Sequence, residues 1–439
     1  MAALATLQAP AAAIKMNSNY NIAWEVTGNC NHNCFYCYNF WRDSLHTSDC
    51  DIPEVLDYQR ITDKLISIKP MSVAITGGEP LLVFDRIKSS IEQFAANNIF
   101  VRLLTNGSLI TDEIASFFAR HKVQLMVSFP TADEERFSKI TKRDNFSDVV
   151  RALDILKKHN CDVLINIVVS MPNLEDMHAT ADFLVKRYGY KLLYFSRATK
   201  PQNAYIDIID DLLDNNAIQQ FFNICLEIKK KHKIEIRTCG GYAYCAIRNK
   251  KAYPIFAKGC GGGRSSFVVS TKGELRVCGK DSQVLGNIFE EDADIIMEKA
   301  SFWKDDAAIP KECAKCRYKY SCRGGCHMSS YDVEPKFNSL DANADPEQIP
   351  KPVGRVKRLC FINPFKRYVM GDNVNYHKTD DGNRFSYMFS YVYLPEGLSS
   401  ALLRGERINL FKIIFLTRFP IGRCKGLLLE MKNKKIITE

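Results

Sequence analysis

Three cysteines, Cys30, Cys34 and Cys37, stand within eight residues of one another near the start of the sequence. Thiolates are soft ligands that suit zinc or iron–sulfur clusters. Three of them can bind three irons of a four-iron cluster and leave the fourth iron without a protein ligand. Such an iron could bind and activate a small molecule, as the open position of catalytic zinc does. Structural zinc is the alternative, but it needs a fourth ligand, and His32 stands between the cysteines at an unfavourable spacing.

A second group of seven cysteines lies farther along the chain. Its members are Cys260, Cys278, Cys313, Cys316, Cys322, Cys326 and Cys360. Seven thiolates are too many for one tetrahedral metal ion and suit two clusters. A zinc ribbon built from the four cysteines between positions 313 and 326 is the alternative, and the further cysteines in register make it less favoured.

The remaining composition indicates a reducing compartment. The chain has 16 cysteines in 439 residues, and its apolar start has no basic residue before Lys15, which argues against a secretory signal. We therefore expect a cytoplasmic protein whose cysteines bind metal and do not form disulfides. No apolar run is long enough to span a membrane. The net charge of +10 is spread along the chain, so neither a membrane nor a nucleic acid is expected as a partner.

Short β-rich runs alternate with amphipathic helical segments between about Tyr20 and Phe195. The predicted strands are Ile22–Thr27, Ser72–Thr76, Phe100–Thr105, Gln124–Ser128, Val163–Ser170 and Leu192–Phe195. The predicted helices are Tyr58–Ile68, Asp85–Asn97, Asp112–Arg120, Phe146–His159 and Leu174–Tyr188. This alternation predicts an α/β fold with parallel strands, either an open sheet or a barrel. Functional groups gather at the carboxyl ends of the strands in both arrangements.

Gly-rich or polar turns follow three of the predicted strands, at the end where a site is expected. They are Gly28-Asn29-Cys30, Thr76-Gly77-Gly78-Glu79 and Thr105-Asn106-Gly107. The first turn leads directly into the three-cysteine loop. The sequence therefore predicts that this loop and the Gly-Gly-Glu turn belong to one site.

Changes in composition and in the predicted secondary structure divide the chain into five expected segments. They are a frayed tail at 1–19, an α/β domain at 20–213, a connecting helix within 214–236, a Cys-rich segment at 237–364 and a C-terminal extension at 365–439. The Cys-rich segment is predicted to be loop-rich, because metal can hold such sequence together without a large core. The C-terminal extension is expected to contain a strand or two and some helix, and its role is unassigned.

The spacing Cys30-x3-Cys34-x2-Cys37, with Tyr36 before the last cysteine, resembles the motif of the radical SAM superfamily. Gly77-Gly78-Glu79-Pro80 extends the resemblance. It implies a partial (β/α)6 TIM-like barrel that holds a [4Fe–4S] cluster and S-adenosylmethionine. By the same resemblance, Gly77, Gly78 and Glu79 bind the methionine amino group. Ser128 and Asn166 are expected to contact the ribose and carboxylate, and the backbone of Tyr36 the adenine.

The seven later cysteines resemble the SPASM domain of radical SAM maturases, which implies two auxiliary [4Fe–4S] clusters in a loop-rich iron–sulfur cluster-binding domain. The resemblance assigns Cys313, Cys316, Cys322 and Cys360 to one cluster. It assigns Cys260, Cys278 and Cys326 to the other, which is then one ligand short. Either Cys239 or Cys245 completes this second cluster, or one iron stays open, and the sequence leaves the choice undecided.

The resemblance further implies an oxidoreductase that generates a 5′-deoxyadenosyl radical to modify a ribosomally synthesised peptide, by a thioether, a carbon–carbon bond or a related crosslink. An electron donor such as flavodoxin or ferredoxin is implied as a second partner. One alternative is formylglycine formation on a sulfatase, with Asp281 as the proton acceptor, although capping a turn is the favoured role of that aspartate. Another is a metal-stabilised protein that binds peptide without catalysis. Arg197 could pair with a carboxylate or lie on the surface.

Overall fold

The computed structural model describes the chain over most of its length. The described residues are 20–39, 57–199, 209–303, 306–332, 338, 340–350, 369–370, 375–379, 382–387, 390–394, 396–417, 424, 427–428, 431 and 437–438. They fall into two compact units, one at residues 20–354 and one formed by the described residues beyond 354. Among the described residues, no helix is long and apolar enough to cross a membrane.

Strands and helices alternate through the first half of the larger unit. The strands are β1 Asn21–Glu25, β2 Ser72–Thr76, β3 Phe100–Thr105, β4 Gln124–Ser128, β5 Asp162–Val169 and β6 Leu192–Arg197. The helices are α1 Tyr58–Ile68, α2 Phe84–Ala96, α3 Asp112–Arg120, α4 Glu134–Thr141, α5 Phe146–Lys158 and α6 Met177–Tyr188. β1 to β6 pair in chain order and all in parallel, so the predicted α/β fold is confirmed.

The second half of this unit extends the same sheet at both edges. Its elements are α7 Ala217–His232, β7 Glu235–Arg237, α8 Tyr253–Phe256, β8 Ser266–Val269, β9 Glu274–Arg276, β10 Gly286–Asn287, α9 Ala293–Glu298 and α10 Lys319–Cys322. The ten strands follow the order β10-β9-β8-β1-β2-β3-β4-β5-β6-β7. β8 is parallel to β1, whereas β9 and β10 are antiparallel to their neighbours. The segment predicted to consist mainly of loops therefore contributes three short strands.

The described residues of the smaller unit include two antiparallel sheets and helical segments. Its elements are β11 Val369–Met370, β12 Asn375–Thr379, β13 Gly382–Tyr387, β14 Ser390–Leu394, α11 Glu396–Leu403, α12 Leu410–Thr417 and β15 Ile437–Thr438. β12, β13 and β14 form a meander, and β11 pairs with β15. Its core includes Leu398, Leu402 and Ile413, all fully buried.

The two faces of the large sheet differ in chemistry. Residues that alternate along the strands, such as Ile75, Leu103 and Leu125, are fully buried in the main hydrophobic core. The other face carries polar side chains beside a small apolar cluster of Met126, Leu164 and Tyr194. On it, the carboxylate of Glu25 in β1 forms a buried ion pair with the guanidinium of Arg276 in β9. This pair ties the added strands to the first strand of the parallel sheet.

The turn after β2 lies directly against the backbone that follows β1. The amide of Gly78 donates to the carbonyl of Thr27 (2.7 Å), and the amide of Glu79 donates to that of Asn29 (2.8 Å). A Cβ atom on Gly77 would lie 2.3 Å from the Thr27 oxygen, and one on Gly78 would lie 2.0 Å from the Asn29 oxygen. Gly77 also has φ of +125°. Only glycine permits this approach of two backbones.

Substitution of Gly78 by alanine tests this contact. We expect Gly78→Ala to lower the free energy of unfolding by about 1–3 kcal/mol, because the new methyl group overlaps a backbone oxygen that cannot rotate away. Gly240→Ala is the matched control, since a Cβ atom there has no neighbour within 4 Å. Urea denaturation of both anaerobically prepared variants measures the effect. Equal stability of Gly78→Ala and the unaltered protein would contradict the close approach.

Candidate active site

The three-cysteine loop is anchored on the end of α4. The amide of Asn33 donates to the carbonyl of Thr141 (2.8 Å), and the amide of Phe35 donates to that of Ile140 (3.2 Å). The side chain of Arg143 donates to the carbonyl of Asn31 (2.8 Å). Helix α4 was absent from the predicted elements, and it supplies the support on which the cysteine loop rests.

His32 contributes to the same anchor. It is buried, its ring meets that of Phe137 edge to face at 6.2 Å, and its Nε2 lies 2.8 Å from the Asn145 side-chain amide. The ring therefore packs against α4 and fixes the position of the loop. The three cysteines around it, Cys30, Cys34 and Cys37, are half-buried.

Glu79 joins the ends of β2 and β3. Its carboxylate is 1% exposed and accepts hydrogen bonds from the Leu81 amide (3.0 Å), the Thr105 hydroxyl (2.7 Å) and the Asn106 amide (2.8 Å). Burial outweighs these three donors and raises the pKa of Glu79 to about 7. The carboxylate is thus fixed in direction at the carboxyl end of the sheet.

Two asparagines connect this carboxylate network to the cysteine loop. The side-chain amide of Asn106 donates to Asn31 Oδ1 (2.8 Å), and the amide of Asn31 donates to the Ser108 hydroxyl (2.9 Å). The buried amide of Asn39 donates to the carbonyl of Gly77 (2.8 Å). The turns after β1, β2 and β3 therefore form one hydrogen-bonded assembly, as their positions in the sequence predicted.

The residues predicted to contact the nucleotide lie on adjacent strands. Ser128, the last residue of β4, is directly opposite Asn166 of β5 in the sheet. Asn166 Oδ1 accepts a hydrogen bond from the Ser196 hydroxyl (2.8 Å). Tyr36 is half-buried and meets the ring of Phe35 edge to face at 5.3 Å. Burial, followed by the charges of Cys34 and Cys37, raises the pKa of Tyr36.

The later cysteines form two spatial groups. In the first, burial and then the charges of Cys326 and Cys278 raise the pKa of Cys260 to about 12. In the second, burial and then the charges of Cys322, Cys316 and Cys245 raise the pKa of Cys313 to about 12. Cys360 lies outside the described residues.

The environment of the sulfurs fits iron–sulfur clusters. Backbone amides donate to four of them at 3.3–3.4 Å: His32 to Cys30, Gly262 to Cys260, Lys280 to Cys278 and Tyr318 to Cys316. Hydrogen bonds to sulfur stabilise cluster thiolates and tune the potential of the cluster. Over the described residues, no three His, Cys, Asp or Glu side chains converge on a single metal position. Cluster ligands need no such convergence, because each binds a different iron.

Two side chains singled out in the sequence lie beside the first of these groups. Asp281 is buried, and its carboxylate accepts a hydrogen bond from the Gln283 amide (3.0 Å), which is the turn-capping arrangement. The side chain of Arg197 is 6% exposed and forms an ion pair with Asp341. The same carboxylate accepts from the Cys326 amide (3.0 Å), so Asp341 links the end of β6 to a predicted cluster ligand. No spacing rule in the sequence pointed to Asp341.

Tyr38 lies next to both sites. A Cβ atom on Gly279 would lie 3.1 Å from the Tyr38 ring, so this ring packs on the residue that follows Cys278. Burial raises the pKa of Tyr38 against the hydrogen bond to Thr76, and the charges of Glu25, Cys37 and Cys278 raise it further. The ring of Tyr38 is thus a contact between the three-cysteine loop and the first later group.

Comparison with known proteins agrees with this geometry. Residues 24–184 match the Radical SAM superfamily. The three-cysteine loop, the Gly-Gly-Glu turn and strands β2 to β5 lie within these residues and agree with the match. A radical SAM domain at residues 24–184 implies a [4Fe–4S] cluster and S-adenosylmethionine as cofactors.

Three similar proteins extend beyond the matched domain. The AdoMet-dependent heme synthase of Methanosarcina barkeri is 26% identical over 332 residues, which cover 71% of this chain and 91% of that protein. Mycofactocin maturase MftC of Mycolicibacterium smegmatis is 26% identical over 325 residues, 71% of this chain and 78% of that protein. The structure of Streptococcus suis SuiB bound to precursor peptide SuiA has a TM-score of 0.58 at 17% identity, covering 74% of this chain and 75% of that one.

Replacement of Glu79 by glutamine tests the buried carboxyl. Since the pKa of Glu79 is raised from 4.5 to about 7 in the folded protein, the folded state binds more protons than the unfolded state between these values. The stabilising effect of this proton is therefore lost as the pH rises through about 7, with a slope of at most about 1.4 kcal/mol per pH unit. We expect Glu79→Gln to lack this slope.

The measurement is the difference in free energy of unfolding between variant and unaltered protein from pH 5.5 to 8. Glu113→Gln, an exposed glutamate on α3, is the matched control. Parallel pH profiles for the unaltered protein and Glu79→Gln would show that the Glu79 carboxyl does not titrate in this range.

Proposed function

We propose that this protein cleaves S-adenosylmethionine at the Cys30, Cys34 and Cys37 loop and uses the resulting radical to modify a ribosomally synthesised peptide. The observation that carries the proposal is the docking of Gly77, Gly78 and Glu79 on the backbone that leads into this loop. It supports a site in which one molecule meets both features. When bound, the reduced cluster supplies the electron that splits the sulfonium into methionine and a 5′-deoxyadenosyl radical, which takes hydrogen from the substrate.

The residues of the chain bind and orient the reactants in this proposal. The three thiolates hold the cluster and leave one iron for S-adenosylmethionine. The Gly77–Glu79 turn receives the methionine amino group, with the Glu79 carboxylate fixed by three donors. Ser128 and Asn166 contact the ribose and carboxylate from neighbouring strands, and the Tyr36 backbone meets the adenine.

We also propose that the two later cysteine groups hold auxiliary [4Fe–4S] clusters. The ligands are Cys260, Cys278 and Cys326 in one, with Cys313, Cys316, Cys322 and Cys360 assigned by resemblance to the other. The amide-to-sulfur hydrogen bonds at both groups support this assignment. The reducing chemistry calls for an electron donor such as flavodoxin or ferredoxin and for a cytoplasmic setting, where thiols remain reduced.

A peptide substrate is proposed from the relatives. SuiB is bound to a precursor peptide in its crystal structure, and MftC is a maturase. The bond formed is proposed to be a thioether, a carbon–carbon bond or a related crosslink. Formylglycine formation has less support, because the Asp281 carboxylate proposed as its base already caps a turn. A peptide-binding protein without catalysis would not need the Gly-Gly-Glu turn at the cysteine loop.

The similarity to AdoMet-dependent heme synthase supports a second candidate, in which the substrate is a haem precursor and not a peptide. The two candidates share the cleavage of S-adenosylmethionine and differ in the molecule that loses hydrogen. Mass spectrometry of the two substrate classes after incubation with the enzyme and S-adenosylmethionine separates them.

The first step is tested by product analysis after anaerobic reconstitution with iron and sulfide. We expect 5′-deoxyadenosine from S-adenosylmethionine and a strong reductant, and a loss of at least about 100-fold in Cys34→Ala, because a two-thiolate site does not retain the cluster. Cys161→Ala is the control, since that half-buried thiol donates to the Ala115 carbonyl (3.3 Å) and is not a proposed cluster ligand. No 5′-deoxyadenosine from a cluster-replete preparation would refute the proposed function.

The substrate is tested by searching beside the gene for short open reading frames and synthesising the peptides that they encode. We expect a peptide that has lost a hydrogen pair, visible by mass spectrometry, only when enzyme, reductant and S-adenosylmethionine are all present. Deuterium at the reacting position should appear in 5′-deoxyadenosine, because the radical takes that atom. Transfer of deuterium from a haem precursor but not from any peptide would favour the second candidate.

A further inference from the structure

The carboxylate of Asp341 is fully buried beside Cys326, a proposed ligand of the first later group. Its Oδ2 accepts a hydrogen bond from the Cys326 amide (3.0 Å), and the Asp341 amide donates to the Gly324 carbonyl (3.0 Å). A Cβ atom on Gly325 would lie 2.8 Å from this Oδ2, and Gly325 has φ of +90°. The glycine therefore allows the carboxylate to reach the backbone of the cysteine.

The guanidinium of Arg197, the last residue of β6, holds this carboxylate from the side of the sheet. Its Nη1 donates to Asp341 Oδ1 (2.8 Å) and its Nη2 donates to Asp341 Oδ2, so the ion pair is bidentate. The guanidinium carbon lies 4.6 Å from the centre of the Tyr242 ring, which covers it. Two parallel hydrogen bonds fix the carboxylate in direction as well as in position.

Asn343 completes the contacts of the pair. Its side-chain oxygen accepts a hydrogen bond from the Arg197 guanidinium, and its backbone amide donates to Asp341 Oδ1 (3.0 Å). Its side-chain amide donates to the Leu213 carbonyl (3.1 Å). Both charged groups therefore have fixed hydrogen-bond partners out of water, where charges act on each other more strongly than in solvent.

Strand β6 carries this pair next to a proposed S-adenosylmethionine contact. Ser196, the residue before Arg197, donates from its hydroxyl to Asn166 Oδ1 (2.8 Å). Two neighbouring residues of one strand thus contact Asn166 and Asp341. The backbone of Cys326 is therefore joined through two side chains to the strand that supports the proposed nucleotide site.

We propose that Asp341 is a positioning residue for the cluster of the first later group, whose ligand Cys326 it holds. Its charge and the charge of Arg197 together set the reduction potential of this cluster. The inference rests on the proposed auxiliary clusters. The carboxylate opposes the addition of an electron to the cluster, and the guanidinium offsets this effect. Removal of one charge therefore changes the potential, whereas removal of both restores it.

The single variant Asp341→Asn keeps the shape of the side chain and leaves the guanidinium without its counter-charge. We expect it to retain about 12 iron atoms per chain. The reduced form of one cluster should be favoured at least about tenfold, an upward shift of about 59 mV for one electron. Redox titration followed by EPR measures the shift, and the signal that is absent from Cys278→Ala identifies the cluster.

The double variant Asp341→Asn with Arg197→Gln separates charge from packing. It removes both charges, so we expect the potential to return close to that of the unaltered protein. A pair that only packs the segment against β6 would leave the double variant at least as disturbed as the single one. Asp182→Asn is the control, since it removes an ion-paired carboxylate of α6 whose partners are Lys186, Lys231 and His232.

Iron content covers the case in which the single variant does not hold the cluster. Loss of about four irons from Asp341→Asn, restored in the double variant, would support the proposal. An unchanged iron content and potential in Asp341→Asn would overturn it. A double variant as far from the unaltered protein as the single variant would also overturn it, as would the same change in Asp182→Asn.

The iron content of the unaltered protein distinguishes this inference from the proposed function. About four irons per chain would remove the auxiliary clusters and this inference together, and would leave the cleavage of S-adenosylmethionine at the first loop intact. About 12 irons per chain, with the same potentials in the unaltered protein and Asp341→Asn, would remove this inference alone.

Discussion

The contact between two stretches of backbone, residues 77–79 and 27–29, is the constraint on which the rest of the site depends. The two amide hydrogen bonds across it form only because no side chain stands between them at Gly77 and Gly78. This contact brings the turn after β2 to the start of the cysteine loop. Because the loop follows directly from β1, its thiols take their position from the sheet itself.

Buried polar side chains extend this contact to the turn after β3. The Glu79 carboxylate is out of water, so each of its oxygens needs donors, and Leu81, Thr105 and Asn106 supply them. Removing any one donor leaves a buried carboxylate less satisfied, which typically costs about 1–3 kcal/mol. The asparagine contacts then link the third turn to the first. The turns after β1, β2 and β3 are therefore held together, because displacing one of them breaks its hydrogen bonds to the others.

Much of this arrangement could be predicted from the sequence. β2, β3 and β4 have the predicted bounds, and β1, β5 and β6 differ by at most two residues at each end, since apolar runs bounded by turns define them. Helix α4 was missed because its eight residues bury only Phe137, Ile140 and Thr141, too few for a visible period. The position of Cys245 could not be predicted either. It depends on the stacking of Tyr244 on Tyr318, and the spacing of cysteines along the sequence does not indicate which aromatic rings stack.

Because the ring of Tyr38 packs on Gly279, the three-cysteine loop lies next to the group of Cys260, Cys278 and Cys326. Tyr38 directly follows Cys37 in the chain, and Gly279 directly follows Cys278. Each of the two contacting residues is therefore the sequence neighbour of a cysteine. A shift of the backbone at either cysteine is therefore transmitted, through one ring contact, to the residue beside a cysteine of the other group.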